Sequence, residues 1–394
     1  MWRHPAGPNP TRYGGSQRKR VLGKTRRNLK PLLVISGRKP MTHSITRKTF
    51  LTGAMLAVSL MGSTAAFAEA EYTFKVSNVL SEQDVTAFGL NKFAELVAEA
   101  SDGRIEIEVF HGGQLGSGVE TFEAVKNGHL DFAGDSFANL ATITPAFEIF
   151  HFPFLFESRA QMLSALGSDA VQTQVNSELA DVGLVWFSTY EIGGPRNVGT
   201  SKARIETAED LAGLKFRASR SPLEIGSHES WGAAGVTVDW PGTPEAVRLG
   251  MVDGLTVPYA SFYSAKFHEG NLINYILDLN FQNYALVIAA NAEKMAALPD
   301  DVRMILEDSA AEAQAWHVDF VSGYITENIQ AMRDEGVEIY SLPDAEYQKV
   351  RDMTVDAVWP RFVGNVGMSQ EKLDLIRTES GEIGTDGWGY SLGE

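Results

Sequence analysis

Cations are scarce in the body of this chain, so the place of each one carries information. From Glu69 onward 21 Lys/Arg stand against 50 Asp/Glu, a net charge of −29. Leu214-Lys215-Phe216-Arg217 alternates like a half-buried strand and puts Arg217 at the strand's carboxyl end, where open α/β sheets collect their ligands. A guanidinium there holds a carboxylate through two parallel charge-assisted hydrogen bonds. It equally forms a structural ion pair with one of the many acidic side chains. Both readings stand at this point.

Other chemistries are excluded by what is missing. The chain has no cysteine, which removes disulfide scaffolds, thiolate metal sites and cysteine nucleophiles. The loop from Gly112 to Gly118 has four glycines but no Gly-Lys-Ser/Thr, so it is no phosphate-binding loop. Gly134-Asp135-Ser136-Phe137-Ala138 lacks the last glycine of a nucleophile elbow. The histidines at 111, 129, 151, 228, 268 and 317 read as surface or satisfied core residues rather than metal ligands. No catalytic set, metal or cofactor is expected, and a binding function is. The run Phe147, Phe150, Phe152, Phe154, Phe156 is expected to be mainly core.

The elements that must position Arg217 follow from periodicity. Residues 1–40 carry eleven Lys/Arg and no acid, and read as an upstream extension wrongly joined to a start at Met41. Residues 41–68 read as an export signal: Arg47-Lys48, an apolar stretch from Phe50 to Met61, then Ala66-Phe67-Ala68 as a cleavage site. Thr46–Leu51 also resembles a twin-arginine signal with lysine as the second basic residue. The acidic remainder excludes nucleic acid as a partner.

From Tyr72 strand and helix patterns alternate in a βαβαβ rhythm, which implies a mostly parallel sheet between helices. The nonapeptide Glu123–Asp131 returns at Glu245–Asp253 with five of nine positions identical. That repeat predicts two lobes of similar topology, each with its own sheet. A helical pattern from Pro299 to about Met332 is long enough to span both. The expected division is 69–193 with 284–323 for the first lobe, and 194–283 with 324–394, including C-terminal helices, for the second.

Five motifs in order then resemble a known family: Gly113-Gln-Leu-Gly116, the Glu123–Asp131 junction, Phe152-Pro-Phe-Leu-Phe156, Leu211-x-Gly-Leu-Lys-Phe-Arg217 and Val252-Asp-Gly254. From about Tyr72 to about Gly364 the chain is similar to the solute receptors of tripartite ATP-independent periplasmic (TRAP) transporters, of the C4-dicarboxylate-receptor (DctP) type. The resemblance implies a non-enzymatic periplasmic receptor: two α/β lobes, joined by hinge strands and a long helix, close on a small organic acid and deliver it to the small and large membrane subunits of a permease driven by an ion gradient. It implies Arg217 as the carboxylate anchor and Arg196 as a second, less general arginine. Trp240, Tyr259, Phe262 and Phe281 fall in pocket-lining segments, and Ser136 and Asn283 complete the candidate ligand-binding set. Where many members have Asn-Pro this chain has Val257-Pro258, which favours a smaller or less polar carboxylate. An exported hydrolase of acidic molecules, or a ligand sensor for a membrane signalling protein, is the alternative.

Overall fold

The computed structural model describes residues 70–385 and 387–392; the expected extension and export signal lie outside the described residues. Eleven strands form among these: β1 (Tyr72–Asn78), β2 (Ile105–Phe110), β3 (Phe132–Ser136), β4 (Leu184–Glu191), β5 (Arg196–Thr200), β6 (Lys215–Ala218), β7 (Ala234–Thr237), β8 (Gly254–Val257), β9 (Tyr275–Gln282), β10 (Ala285–Asn291) and β11 (Glu338–Tyr340). They build two sheets, ordered β2-β1-β3-β10-β4 and β11-β9-β5-β8-β6-β7. Each sheet begins from parallel pairs, β1 with β2 and β3, and β6 with β7 and β8. Antiparallel strands arriving from the other half then complete it, β10 in the first sheet and β5 in the second.

The internal repeat has a physical meaning. In both copies a short helix ends, a glycine takes a positive φ (Gly128 at 73°, Gly250 at 68°), and a strand follows. The aspartate closing each copy then does the same work. Asp131 accepts the backbone N–H of Lys75 at 2.9 Å, and Asp253 accepts that of Lys215 at 2.9 Å. Each carboxylate thus pins the neighbouring parallel strand, at the middle of β1 in one lobe and at the first residue of β6 in the other. In the second copy Gly242 caps the helix, and Thr243 is its first residue.

The lobes are joined by β4 to β5, by β9 to β10, by a 35-residue helix, Asp300–Asp334, about 52 Å long at 1.5 Å per residue, and by the segment from Phe362 to Gln370, which returns to the first lobe. Val302, Leu306, Ala310 and Ala313 of this helix pack into the core on the first sheet. Val321, Ile325, Ile329 and Met332 pack into the core on the second. His317 marks the changeover, with its Nε2 3.0 Å from the Glu191 carbonyl. In the β4–β5 connection Gly193 has φ +87°, and a Cβ there would stand 2.3 Å from that of Ala260, so only glycine fits.

The phenylalanine run is core as expected, with Phe147, Phe150 and Phe152 fully buried. The segment 324–394, expected to belong to the second lobe throughout, is divided. Asp344–Phe362 packs on the second-lobe helix Pro222–Ser230, but Gln370–Ser380 lies against Arg159–Gly167 and Asp169–Ala180 of the first. The reason is Leu373 and Ile376, which complete the first lobe's phenylalanine-rich core.

Candidate functional site

Arg217 is the third residue of β6 and is 3% exposed. Its Nε donates to the Val238 carbonyl at 2.9 Å, and its guanidinium lies 5.4 Å from the centre of the Trp240 ring. Nη1 has no hydrogen-bond partner, and among the described residues no carboxylate forms an ion pair with this side chain. Burial disfavours the charge, while Glu224 and Asp135 favour it. An arginine in such surroundings stays cationic.

Arg196, at the start of β5, is fully buried but differently occupied. Its Nη1 donates to Glu224 Oε1 at 3.0 Å and to the Thr256 carbonyl. The guanidinium stacks over Tyr284, 4.1 Å from the ring centre, and leaves Nε and Nη2 unpartnered. Glu224 also accepts the Ser219 N–H at 2.9 Å, the Ser219 hydroxyl and the Thr256 hydroxyl at 2.8 Å. Burial alone would raise this carboxyl, but the Arg196 charge and these donors outweigh it and hold it at about 2. Next to them His228 Nε2 sits 3.1 Å from Thr256 Oγ1, and burial lowers this imidazole to about 4, so it is neutral at pH 7.

The first lobe faces this cluster with Asp135, Ser136, Glu148 and His151. Asp135, 3% exposed, accepts the Ser136 N–H and Asn139 Nδ2, each at 2.6 Å, yet burial pushes its carboxyl up to about 6. Ser136 approaches the Tyr284 hydroxyl. His151, wholly buried, packs between Phe137 and Tyr284; neither ring nitrogen has a hydrogen bond, and Nδ1 lies 3.6 Å from Glu148 Oε1. Glu148 Oε2 accepts the Ser221 hydroxyl at 3.1 Å, a bond that crosses from one lobe to the other. Asn283, in the β9–β10 connection beside Tyr284, is 2% exposed with Oδ1 unpartnered. The seam is nearly shut. Between Val79, Gly118, Asp135 and Asn139 on one side and Asp239, Trp240 and Pro241 on the other it leaves about 10 Å³. That holds about one water molecule. Larger hollows, about 810 and 730 Å³, lie elsewhere, under the C-terminal tail and beside His111.

Of the eight candidates named from the sequence, Arg196, Arg217, Trp240, Ser136 and Asn283 meet along this seam. Tyr259, Phe262 and Phe281 do not. The Tyr259 hydroxyl donates to Asp278 at 2.7 Å. Phe262 lies over Gly199, where a Cβ would meet its ring at 2.3 Å. Phe281 packs edge-on against Trp231 with centroids 5.0 Å apart. All three belong to the hydrophobic interior of the second lobe, because their segments run past the seam with the rings turned inward. Sequence reasoning passes over Glu224, Asp135, Tyr284 and His151. One signal was present: Glu224 and His228 are four apart, and Glu148 and His151 three apart, so each pair shares a helical face.

No group of three or more His, Asp or Glu is placed to hold a metal ion among the described residues. Two lobes, several crossings between them and a buried arginine at the seam with no ion pair of its own define a two-lobed solute-binding protein. The chain belongs to the family "bacterial extracellular solute-binding protein, family 7" (DctP), whose model matches residues 76–364. It is 27% identical over 323 residues to the 2,3-diketo-L-gulonate-binding periplasmic protein YiaO of Escherichia coli, covering 80% of this chain and 95% of that one. It is 26% identical over 280 residues to the C4-dicarboxylate-binding protein DctB of Bacillus subtilis, covering 71% and 79%. A TRAP periplasmic solute-binding protein of Sulfurospirillum deleyianum, solved with bound succinate, shares the fold at a TM-score of 0.69 and 24% identity, over 79% of this chain and 99% of that one.

Proposed function

We propose that this chain is the periplasmic receptor of a TRAP transporter, which binds a small organic acid through its carboxylate and hands it to the permease's membrane subunits. The observation that carries the reading is the contrast between the two buried arginines. Arg196 is committed to Glu224, whereas Arg217 keeps an unpartnered Nη1 at the seam. A buried cation without a carboxylate is costly unless an anion joins it. The relatives named for dicarboxylate and keto-acid binding support the same class of ligand. Residues 41–68 serve as the export signal, cleaved near Ala68, and intact mass of the exported protein checks this.

The test is a thermal-shift panel of organic acids followed by calorimetry on wild type and Arg217→Ala. An acid at 100 times its Kd adds about 2.7 kcal/mol of stability. If no organic acid raises the melting temperature, or the acid that does binds Arg217→Ala within about threefold of wild type, the reading fails.

A further inference from the structure

The carboxylate reading leaves open which acids fit, and the charges buried around the seam narrow the choice. Three Lys/Arg side chains among the described residues are buried: Arg196, Arg217 and Lys372. Lys372 lies away from the seam, bonded to the Ala146 carbonyl and Glu178. Arg196 is neutralised by Glu224. Arg217 is left as the buried cation with no ion pair of its own among the described residues, although Glu224 and Asp135 lie near enough to favour its charge. At the rim Arg220 is engaged by both oxygens of Asp239, at 3.0 and 3.2 Å.

Against that single cation the first lobe sets two buried carboxyl groups, Asp135 and Glu148. Asp135 lines the residual cavity together with Ser117, Asn139 and the apolar Val79, Val119, Trp240 and Pro241. It sits in a fitted slot, because a Cβ on Gly118 would stand 1.5 Å from its Oδ2. Oδ1 accepts one donor, from Ser136, and Oδ2 one, from Asn139, whereas a carboxylate offers about four lone-pair directions. Capacity to accept is therefore left over on both oxygens. Burial raises this carboxyl to about 6, and the nearby Arg217 charge offsets that only in part.

Resting on the carboxylate reading, we propose that the ligand is a monocarboxylate whose other end carries a hydrogen-bond donor, a hydroxyl or an ammonium group. The carboxylate lies on Arg217 and the donor on Asp135. A second carboxylate at that end would meet the Asp135 carboxyl with Arg217 already taken by the first, and burying two like charges together is strongly disfavoured. The inference separates this chain from relatives named for dicarboxylates.

The test uses straight-chain acids of three to six carbons in three series: unsubstituted, ω-hydroxy and α,ω-dicarboxylic. Each is titrated calorimetrically into wild type, Arg217→Ala and Asp135→Asn. In wild type an ω-hydroxy acid should bind at least about tenfold tighter than the diacid of equal length, from the missing charge repulsion. It should also bind tighter than the unsubstituted acid. Asp135→Asn should narrow the gap to the diacid by improving diacid binding. A diacid that binds as tightly as its hydroxy counterpart, and loses affinity in Arg217→Ala, overturns this inference and leaves the carboxylate reading standing. Binding indifferent to Arg217→Ala overturns the carboxylate reading itself. Absence of binding by every ω-hydroxy acid and, in the same titration, by every ω-amino acid of three to six carbons also overturns the inference. The wild-type ranking needs no variant, so the outcome is decided even if Asp135→Asn does not fold.

Discussion

Replacing Arg217 by alanine removes a cation that is 3% exposed and has no carboxylate partner, so its effects on folding and on binding come apart. In the free protein the variant loses one hydrogen bond to the Val238 carbonyl and the contact with Trp240. A hydrogen bond from a charged donor contributes about 1.5–3 kcal/mol. Relief of a buried charge that stands near Arg196 offsets part of this. The ligand-free melting temperature should therefore change little. Binding should change greatly, because truncating one partner of a buried charge pair costs about 2–5 kcal/mol, some 30-fold to several-thousand-fold in Kd. Arg217→Lys keeps the charge but loses the two-bond fork, and should fall between. Arg196→Ala is the control. It strands Glu224 in a fully buried place, which costs about 3–5 kcal/mol and lowers the melting temperature by about 6–10 °C. Calorimetry and differential scanning of the three variants decide the matter. If Arg217→Ala melts as low as Arg196→Ala and binds within about threefold of wild type, Arg217 is a structural residue and the reasoning is wrong.

Entry of any acid larger than water requires the seam to part, so the free protein should populate an open form that ligand closes. Saturating ligand should reduce the radius of gyration in small-angle scattering and change the fluorescence of Trp240; identical scattering curves would refute this. Burial holds His228 at about 4 against an ordinary 6.5, so the unfolded chain binds its proton first and stability falls as pH drops from 6.5 toward 4. Going from pH 7 to 5 this residue costs about 2 kcal/mol, and His228→Gln should remove that share of the loss in urea titrations at the two pH values. Gly118→Ala drives a methyl into Asp135 Oδ2, and should cost about 1–3 kcal/mol by overpacking while weakening binding more than distant glycine substitutions do.

Sequence reading reached the architecture because periodicity and caps are local. The β1 and β2 alternation, the repeat ending in Asp131 and Asp253, and the helix after Pro299 all appear near their expected positions. The site was half legible. Arg217 stood out because a cation on an apolar strand is rare in so acidic a chain. Tyr259, Phe262 and Phe281 misled because a segment can run past a cleft while its rings turn inward, and sequence does not show which way they turn. Glu224 was hidden for the opposite reason: on a short helix a glutamate looks solvent-facing, and only the arrival of β5 with Arg196 buries it. Asp135 and His151 belong to the same class, since their neighbours come from distant chain segments, Arg217 beside the one and Tyr284 beside the other.

The helix Asp300–Asp334 bears on how such a protein can diversify. Because one uninterrupted element fills part of both interiors, neither half is a self-contained module. A fragment ending before β5 would lack β10 and the helix residues Val302 to Ala313, and would expose the apolar face they cover. Exchange of one lobe between two relatives therefore needs coordinated junctions at β4–β5, at β9–β10, within the helix near His317 and between Phe362 and Gln370. Recombination rarely supplies so many matched breaks at once. New ligand preferences in this architecture should arise by point substitution along the seam, and heating should melt both halves in a single calorimetric transition.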